Sequence, residues 1–369
     1  MKNQISEFLQ SRIDAKDFPS AVYLVAEKGE IVLQDALGFA VVEPEKIAAK
    51  FETIYDLASL TKPLVTGLLC AKLIESGEIY LTDKISKYFD KFDNDEKREI
   101  TLENLLTHTS GFQAWKPFYL ISDFRFQISD LISSEPLENP TSSKVVYSDL
   151  NFITLGFLIE KIYAKSLDEI AKEIIFAPLN LQNTFYNPPQ NLRKRIAASE
   201  SGNEFENQMC VESGYKIQNP KSKIQNPKWG EVHDGNCYFM NGVSGHAGLF
   251  STAEEVFVIA QQFLENHTTL LKPETCKLFR TNYTEGFNEA RSISFQLAET
   301  KDSTASSALS KDSFGHLGFT GTSVWIEPET ERIFILLTNR THARELPFVN
   351  INPTRRRFHE LAAQMLNEK

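Results

Sequence analysis

The stretch Ala58-Ser59-Leu60-Thr61-Lys62-Pro63, followed at once by the apolar run Leu64 to Ile74, decides how this chain is read. It sets a serine and a lysine three positions apart where a helix begins. Residues i and i+3 are neighbours on one helix face, so the amine can lie beside the hydroxyl without help from distant residues. A serine hydroxyl becomes an effective nucleophile only when an adjacent base takes its proton. Lysine serves as that base when burial or a neighbouring cation lowers its pKa from about 10.4. The free N–H groups at the helix start favour negative charge on the serine oxygen. The apolar run behind keeps the lysine partly out of water. The plain alternative for Ser59 is a helix N-cap.

Ser-x-x-Lys alone is a weak signal, because short motifs recur by chance. A second copy, Ser213-Gly-Tyr-Lys216, stands in a polar, proline-bearing segment with no apolar helix behind it. Context has to decide. The 369 residues suffice for a sizeable core, and 41% hydrophobic with 24% charged residues is ordinary for a soluble globular protein. A net charge of −10 argues against a nucleic-acid partner. Arg355-Arg356-Arg357 reads as a solvated helix face. The N-terminal residues contain no apolar signal-peptide core, and no run approaches the roughly 18 apolar residues of a membrane span. No membrane partner and a cytoplasmic location are therefore expected. Cys70, Cys210, Cys237 and Cys276 are irregularly spaced, which supports neither a disulfide framework nor a zinc site.

Residues 2–14 carry Ile5, Phe8, Leu9 and Ile13 on one helical face. Ala21–Ala26 and Ile31–Gly38 form a hairpin with Gly29 at its turn. The helix after Ser59 closes near Gly77. From Leu81 to about Ile175 the pattern is mostly helical, with N-caps at Thr101 and Ser166 and a further capping box at Ser251–Glu254. Lys216–Lys221 recurs as Lys223–Lys228, a duplicated loop insertion spanning 216–228. The polar stretch Lys301–Ser307 also reads as loop. Ser323–Glu327 and Arg332–Thr338 make a last hairpin, and residues 354–367 a last helix. Strands at both chain ends imply an α+β fold, one antiparallel sheet formed from both termini and flanked by helices, with a mostly helical region inserted. The expected single catalytic unit divides into a sheet part (1–80 and 285–369) and a helical part (81–284).

Two further stretches bear on chemistry. Tyr147-Ser148-Asp149 precedes an apolar helix; such a tyrosine is commonly a core residue with a satisfied hydroxyl. His316-Leu317-Gly318-Phe319 falls just before the final hairpin, where glycine lets backbone approach a ligand and imidazole works near neutral pH. Taken in order, Tyr55–Lys62, Tyr147–Asp149 and His316–Gly318 resemble the three motifs of the serine β-lactamase and penicillin-binding-protein superfamily. The likeness is greatest to its class C-like branch, which includes the family VIII esterases. Leu105–Gly111 and Val243–Thr252 are similar to that branch's helical-region signatures.

The resemblance implies a β-lactamase/transpeptidase-like fold and a two-step acyl transfer. Ser59 would attack an ester, amide or lactam carbonyl. Lys62 and Tyr147 would share general-base work, and Tyr147 would protonate the leaving group. The N–H groups of Ser59 and Phe319 would hold the oxyanion. Gly318, Asp149 and His316 would complete the site; neither a metal nor a cofactor is called for. Two departures matter. Asp149 stands where the family has Asn, and an ionised carboxylate can only accept hydrogen bonds. His316 stands where the family has a lysine, so a substrate carboxylate loses a permanent cation. An esterase or amidase acting on a small molecule or short peptide, with weak or no β-lactamase activity, is therefore expected. The alternatives are a D-amino-acid peptidase acting on peptidoglycan fragments and a non-catalytic binding protein of the same fold. His108 and His246, in Gly/Ser/Thr-rich turns, read as structural.

Overall fold

The computed structural model describes residues 4–121, 128–215 and 227–368. Strands β1 (Ser20–Glu27) and β2 (Glu30–Val41) are joined by Lys28 and Gly29. Both joining residues have positive φ (52° and 81°), which matches the twist of a two-residue hairpin loop. The other edge of β1 pairs antiparallel with the last strand of the chain, Arg332–Thr338, from Ala21↔Thr338 to Glu27↔Arg332. The remaining strands are β3 (Ile47–Ala48), β4 (Tyr55–Asp56), β5 (Phe185–Tyr186), β6 (Leu249–Ser251), β7 (Gln296–Leu297), β8 (Phe314–Leu317), β9 (Ser323–Glu327) and β10, which is Arg332–Thr338. The main sheet runs β3-β2-β1-β10-β9-β8-β7. The antiparallel sheet expected from both termini is thus present.

Side chains alternate across the sheet. Val22, Leu24 and Ala26 enter a large core with Leu64, Leu68, Val256 and Ile259. Ala21, Tyr23 and Val25 face the other way, onto Ile5 and Leu9 of the helix Gln4–Asp14 and Phe358 and Leu361 of the helix Asn352–Asn367. With both faces covered, β1 is apolar along its length rather than alternating apolar and polar.

A second sheet, β4-β6-β5, leads directly into the nucleophile segment through Tyr55↔Ser251 and Asp56↔Phe250. The expected uniform helix from Ser59 is not what forms. A tight 3-10 turn, Ala58–Leu60, is followed by a wide π-helical turn, Lys62–Gly67, and only then by α-helix, Leu68–Ser76. Pro63 has no N–H to give to the Ser59 carbonyl, so the regular ladder cannot be laid across this junction. Gly77 ends the helix at φ 76°, as expected.

The region after Leu81 is less helical than its apolar content suggests. Its first part is held by the short turns Ile85–Lys87 and Asp90–Phe92, because charges fall on every face. Helices follow at Leu102–Leu106, Ile128–Ser134, Asp149–Tyr163 and Leu167–Ala171. Thr101 and Ser166 cap as read, each in a capping box. The cap expected at Ser251 is Thr252, which accepts from the Glu255 amide. Residues 216–226 of the duplicated insertion, and Lys216 of the second Ser-x-x-Lys, lie outside the described residues.

Candidate active site

Ser59, Lys62, Tyr147, Asp149, His316, Gly318 and Phe319 come together from three separate stretches. All but Lys62 line a cavity of about 590 Å³, with Lys62 buried immediately behind Ser59. Ser59 presents itself from the tight turn. Ala58, just before it, holds φ 48°, a left-handed conformation that costs a residue with a side chain on the order of 1–3 kcal/mol.

Lys62 is fully buried, and each of its three ammonium donors has an acceptor. Nζ donates to Ser59 Oγ at 3.1 Å, to Asp149 Oδ1 at 2.6 Å and to the His246 carbonyl at 3.2 Å. Burial pulls its pKa down, but the charge and hydrogen bond of Asp149, with Tyr147, outweigh burial and leave it above the ordinary value. The expectation that burial frees Lys62 as a neutral base is therefore corrected. Asp149 starts the helix Asp149–Tyr163, so the helix start also favours its charge. Asp149, Asp234 and His246 place donor atoms within 4.8 Å of one another, the arrangement of a cation site. The cation beside them is the Lys62 ammonium.

Tyr147 stands beside Lys62 and Ser59, and both favour its ionised form. Burial raises its pKa, against the lowering effect of the Lys62 charge, so the resting phenol is neutral. Its ring lies 4.6 Å from that of His108 and 5.7 Å from that of His316. Lys62 Nζ is 4.8 Å, and the Arg291 guanidinium 5.4 Å, from the Tyr147 ring centroid. His108 does play a turn role, accepting the Ser148 amide on Nδ1 at 3.0 Å, yet it also fixes the tyrosine. His246 likewise meets the site, through its carbonyl and an Asp234 contact at 3.0 Å.

His316 Nδ1 lies 2.9 Å from the Leu317 carbonyl, which can only accept, so the proton is on Nδ1. Burial, then the charges of Lys62 and Arg291, push its pKa well below the ordinary histidine value. His316 is neutral and gives the cavity no charge. Gly318 is required by space: a Cβ there would stand 2.0 Å from Thr322 Oγ1 and 2.5 Å from the Leu57 carbonyl. Phe319 is wedged between the rings of Phe205 (4.6 Å) and His233 (5.2 Å), with the Arg340 guanidinium 4.7 Å from its centroid.

Three cationic residues of the cavity, Arg291, Arg340 and Arg355, escaped sequence reasoning. Arg355 belongs to the triplet read as a solvated face, but it is 4% exposed and donates to the carbonyls of Gly318 (2.7 Å) and Thr322 (2.8 Å). Three consecutive helical residues point about 100° apart, so a triplet cannot share one face. Burial lowers Arg355 to about 9 and Arg340 to about 10. Arg291 pairs with Glu289 at 2.7 Å, whereas Arg340 and Arg355 have no carboxylate partner among the described residues. The cavity wall thus carries guanidinium groups, though none at position 316 itself. No helix among the described residues is long and apolar enough to cross a membrane.

A family model described as Beta-lactamase matches residues 5–352. An Escherichia coli (strain K12) protein named "Putative D-alanyl-D-alanine carboxypeptidase" is 31% identical over 92% of this chain and 82% of its own length. Among solved structures, EstCE1, described as a hydrolase with promiscuous acyltransferase activity, superposes with TM-score 0.74 at 19% identity, covering 97% of each chain. A class C β-lactamase from Rhodobacter sphaeroides gives TM-score 0.74 at 16% identity, covering 99% of this chain and all of that one.

Proposed function

Because the chain belongs to the beta-lactamase family of serine hydrolases, we propose that it cleaves an amide or ester through an acyl-enzyme on Ser59. The carrying observation is Lys62, whose ammonium joins Ser59 Oγ to Asp149 and lies 4.8 Å from the ring centroid of Tyr147. In the fraction of the enzyme whose Lys62 has released a proton to solvent, Ser59 Oγ attacks the carbonyl carbon and passes its hydroxyl proton to the neutral amine. The N–H groups of Ser59 and Phe319 receive the developing oxyanion. Tyr147 then returns a proton to the leaving group, and water hydrolyses the ester formed on Ser59. With His316 neutral, a β-lactam finds an uncharged imidazole where the family offers a lysine, so lactams are expected to turn over poorly.

A second reading is favoured by the guanidinium groups of Arg340 and Arg355, which line the cavity without a carboxylate partner among the described residues. They suit a substrate with a free carboxylate, as in release of a C-terminal D-amino acid, and the names of the relatives agree. Intact mass after exposure to a fluorophosphonate, beside Ser59→Ala, tests the common core. One adduct on the wild type alone is expected. No adduct, while a reference serine esterase labels fully, would favour the non-catalytic reading. Aryl esters, a chromogenic cephalosporin, and peptides ending in D-alanine or its amide then separate the two readings. Turnover of the acid over the amide selects the carboxypeptidase.

A further inference from the structure

The left-handed residue before the nucleophile has to be held, and the carboxylate of Asp56 is placed to hold it. Asp56 is 5% exposed and ends β4. Its Oδ1 accepts the Ala58 amide at 2.8 Å, and its Oδ2 accepts the His233 amide at 2.7 Å. On the far side of the same residue, the Thr61 hydroxyl donates to the Ala58 carbonyl at 2.7 Å. His233 is itself fixed, its Nε2 2.7 Å from Glu200 Oε2 and its ring stacked on Phe319. The backbone of Asp56 accepts the Thr320 hydroxyl at 2.7 Å. One buried side chain therefore ties the turn carrying Ser59 to the loop that packs on Phe319. Those are the two residues whose N–H groups are assigned to the oxyanion.

We infer that Asp56 is a positioning residue for acyl transfer: by clamping the Ala58 and His233 amides it aims the Ser59 N–H, and Ser59 itself, at the reacting carbonyl. This rests on the acyl-enzyme reading of Ser59. The carboxylate is needed because both of its partners are N–H donors. An amide side chain at this position offers one accepting oxygen and turns an NH2 group toward the other donor. Glycine at position 58 would adopt the observed φ without strain and would leave the clamp less to do.

The test is a double-variant cycle of Asp56→Asn and Ala58→Gly, with the concentration of reactive Ser59 titrated by fluorophosphonate adduct mass. Asp56→Asn is expected to lower kcat per titrated site by roughly a hundredfold with little change in KM, the scale of losing one oxyanion donor. In the Ala58→Gly background the same change is expected to cost several-fold less. Asp56→Glu retains the buried charge but misplaces both oxygens, and gives the same loss of kcat should Asp56→Asn not fold. A wild-type kcat per titrated site in the Asn or Glu variant would make Asp56 merely structural and overturn the inference. An equal loss in both backgrounds would do the same. Failure of the wild type to label would instead overturn the acyl-enzyme reading beneath it.

Discussion

Asp149 changes the proton inventory of the site. Its carboxylate holds Lys62 above the ordinary lysine value, so the amine is cationic across the neutral range. Below a base's pKa the neutral fraction grows about tenfold per pH unit, so acylation that requires neutral Lys62 accelerates as pH rises. Asp149→Asn removes the partner that raises Lys62 and moves this limb to lower pH. Fluorophosphonate labelling of Ser59 at pH 7 is then expected to quicken by roughly three- to tenfold. A limb unmoved in the variant would show that Lys62 is not the titrating base. Gly318 makes a steric prediction at the same scale. The Cβ of Gly318→Ala collides with Thr322 Oγ1 and the Leu57 carbonyl, so strand and nucleophile turn must separate. Displacing the neighbouring Phe319 N–H is expected to cost about 10²–10³ in kcat, with KM largely kept. A wild-type kcat would remove Phe319 from the oxyanion assignment.

Elements differ in how much of the site they disclose in advance. Ser59 and Lys62 were legible because i,i+3 spacing and an apolar run are local features. Tyr147 and His316 needed the order of the motifs as well, since each alone fits a bland role. The carboxylate clamp of Asp56 on His233, and the approach of Arg291, Arg340 and Arg355 to the cavity, depend on loop paths that no local period records. The C-terminal helix, Asn352–Asn367, shows the limit well. Its apolar face was readable from Phe358, Leu361 and Ala362, but the inward course of Arg355 was not. The same helix holds His359, wholly buried, with Nδ1 donating to the Thr304 carbonyl at 2.6 Å and a pKa lowered by burial to about 4. An unfolded histidine titrates near 6.5, so between pH 6.5 and 4 the unfolded chain binds the extra proton and stability falls as pH falls. The full window is worth about 3 kcal/mol for this group. His359→Asn keeps a donor near the Nδ1 position for Thr304 and removes the titration. Chemical denaturation at pH 7 and pH 4.5 should show a smaller acid loss in the variant than in the wild type. Equal losses would place the proton elsewhere.

On the scale of the whole molecule, the sheet separates catalysis from much of the stability. Pairing of β1 with β10 joins the two ends of the chain, and such non-local pairing commits the fold only after a long loop has closed. One face of that sheet turns Val22 and Leu24 into the core that also holds Leu64 and Leu68 of the nucleophile segment, and the helix Ala253–Ala260 packs on both β1 and that segment. The other face is closed by the terminal helices, where Phe358 meets Tyr23 edge-on at 5.8 Å. Phe358 is fully buried in that second core and does not line the cavity. Truncating a buried phenylalanine typically costs 3–5 kcal/mol, as lost transfer energy plus the void left behind. Phe358→Ala should therefore lower the urea midpoint substantially while leaving the Ser59 labelling rate, at a temperature where the variant is folded, within about twofold of wild type. Leu64→Ala, with a comparable loss of burial under the π-helical turn, should depress both quantities, because it loosens the segment that carries Lys62. Equal damage to labelling from both substitutions would mean that the sheet transmits disorder between its faces, and that the site depends on the whole core rather than on the face beneath it.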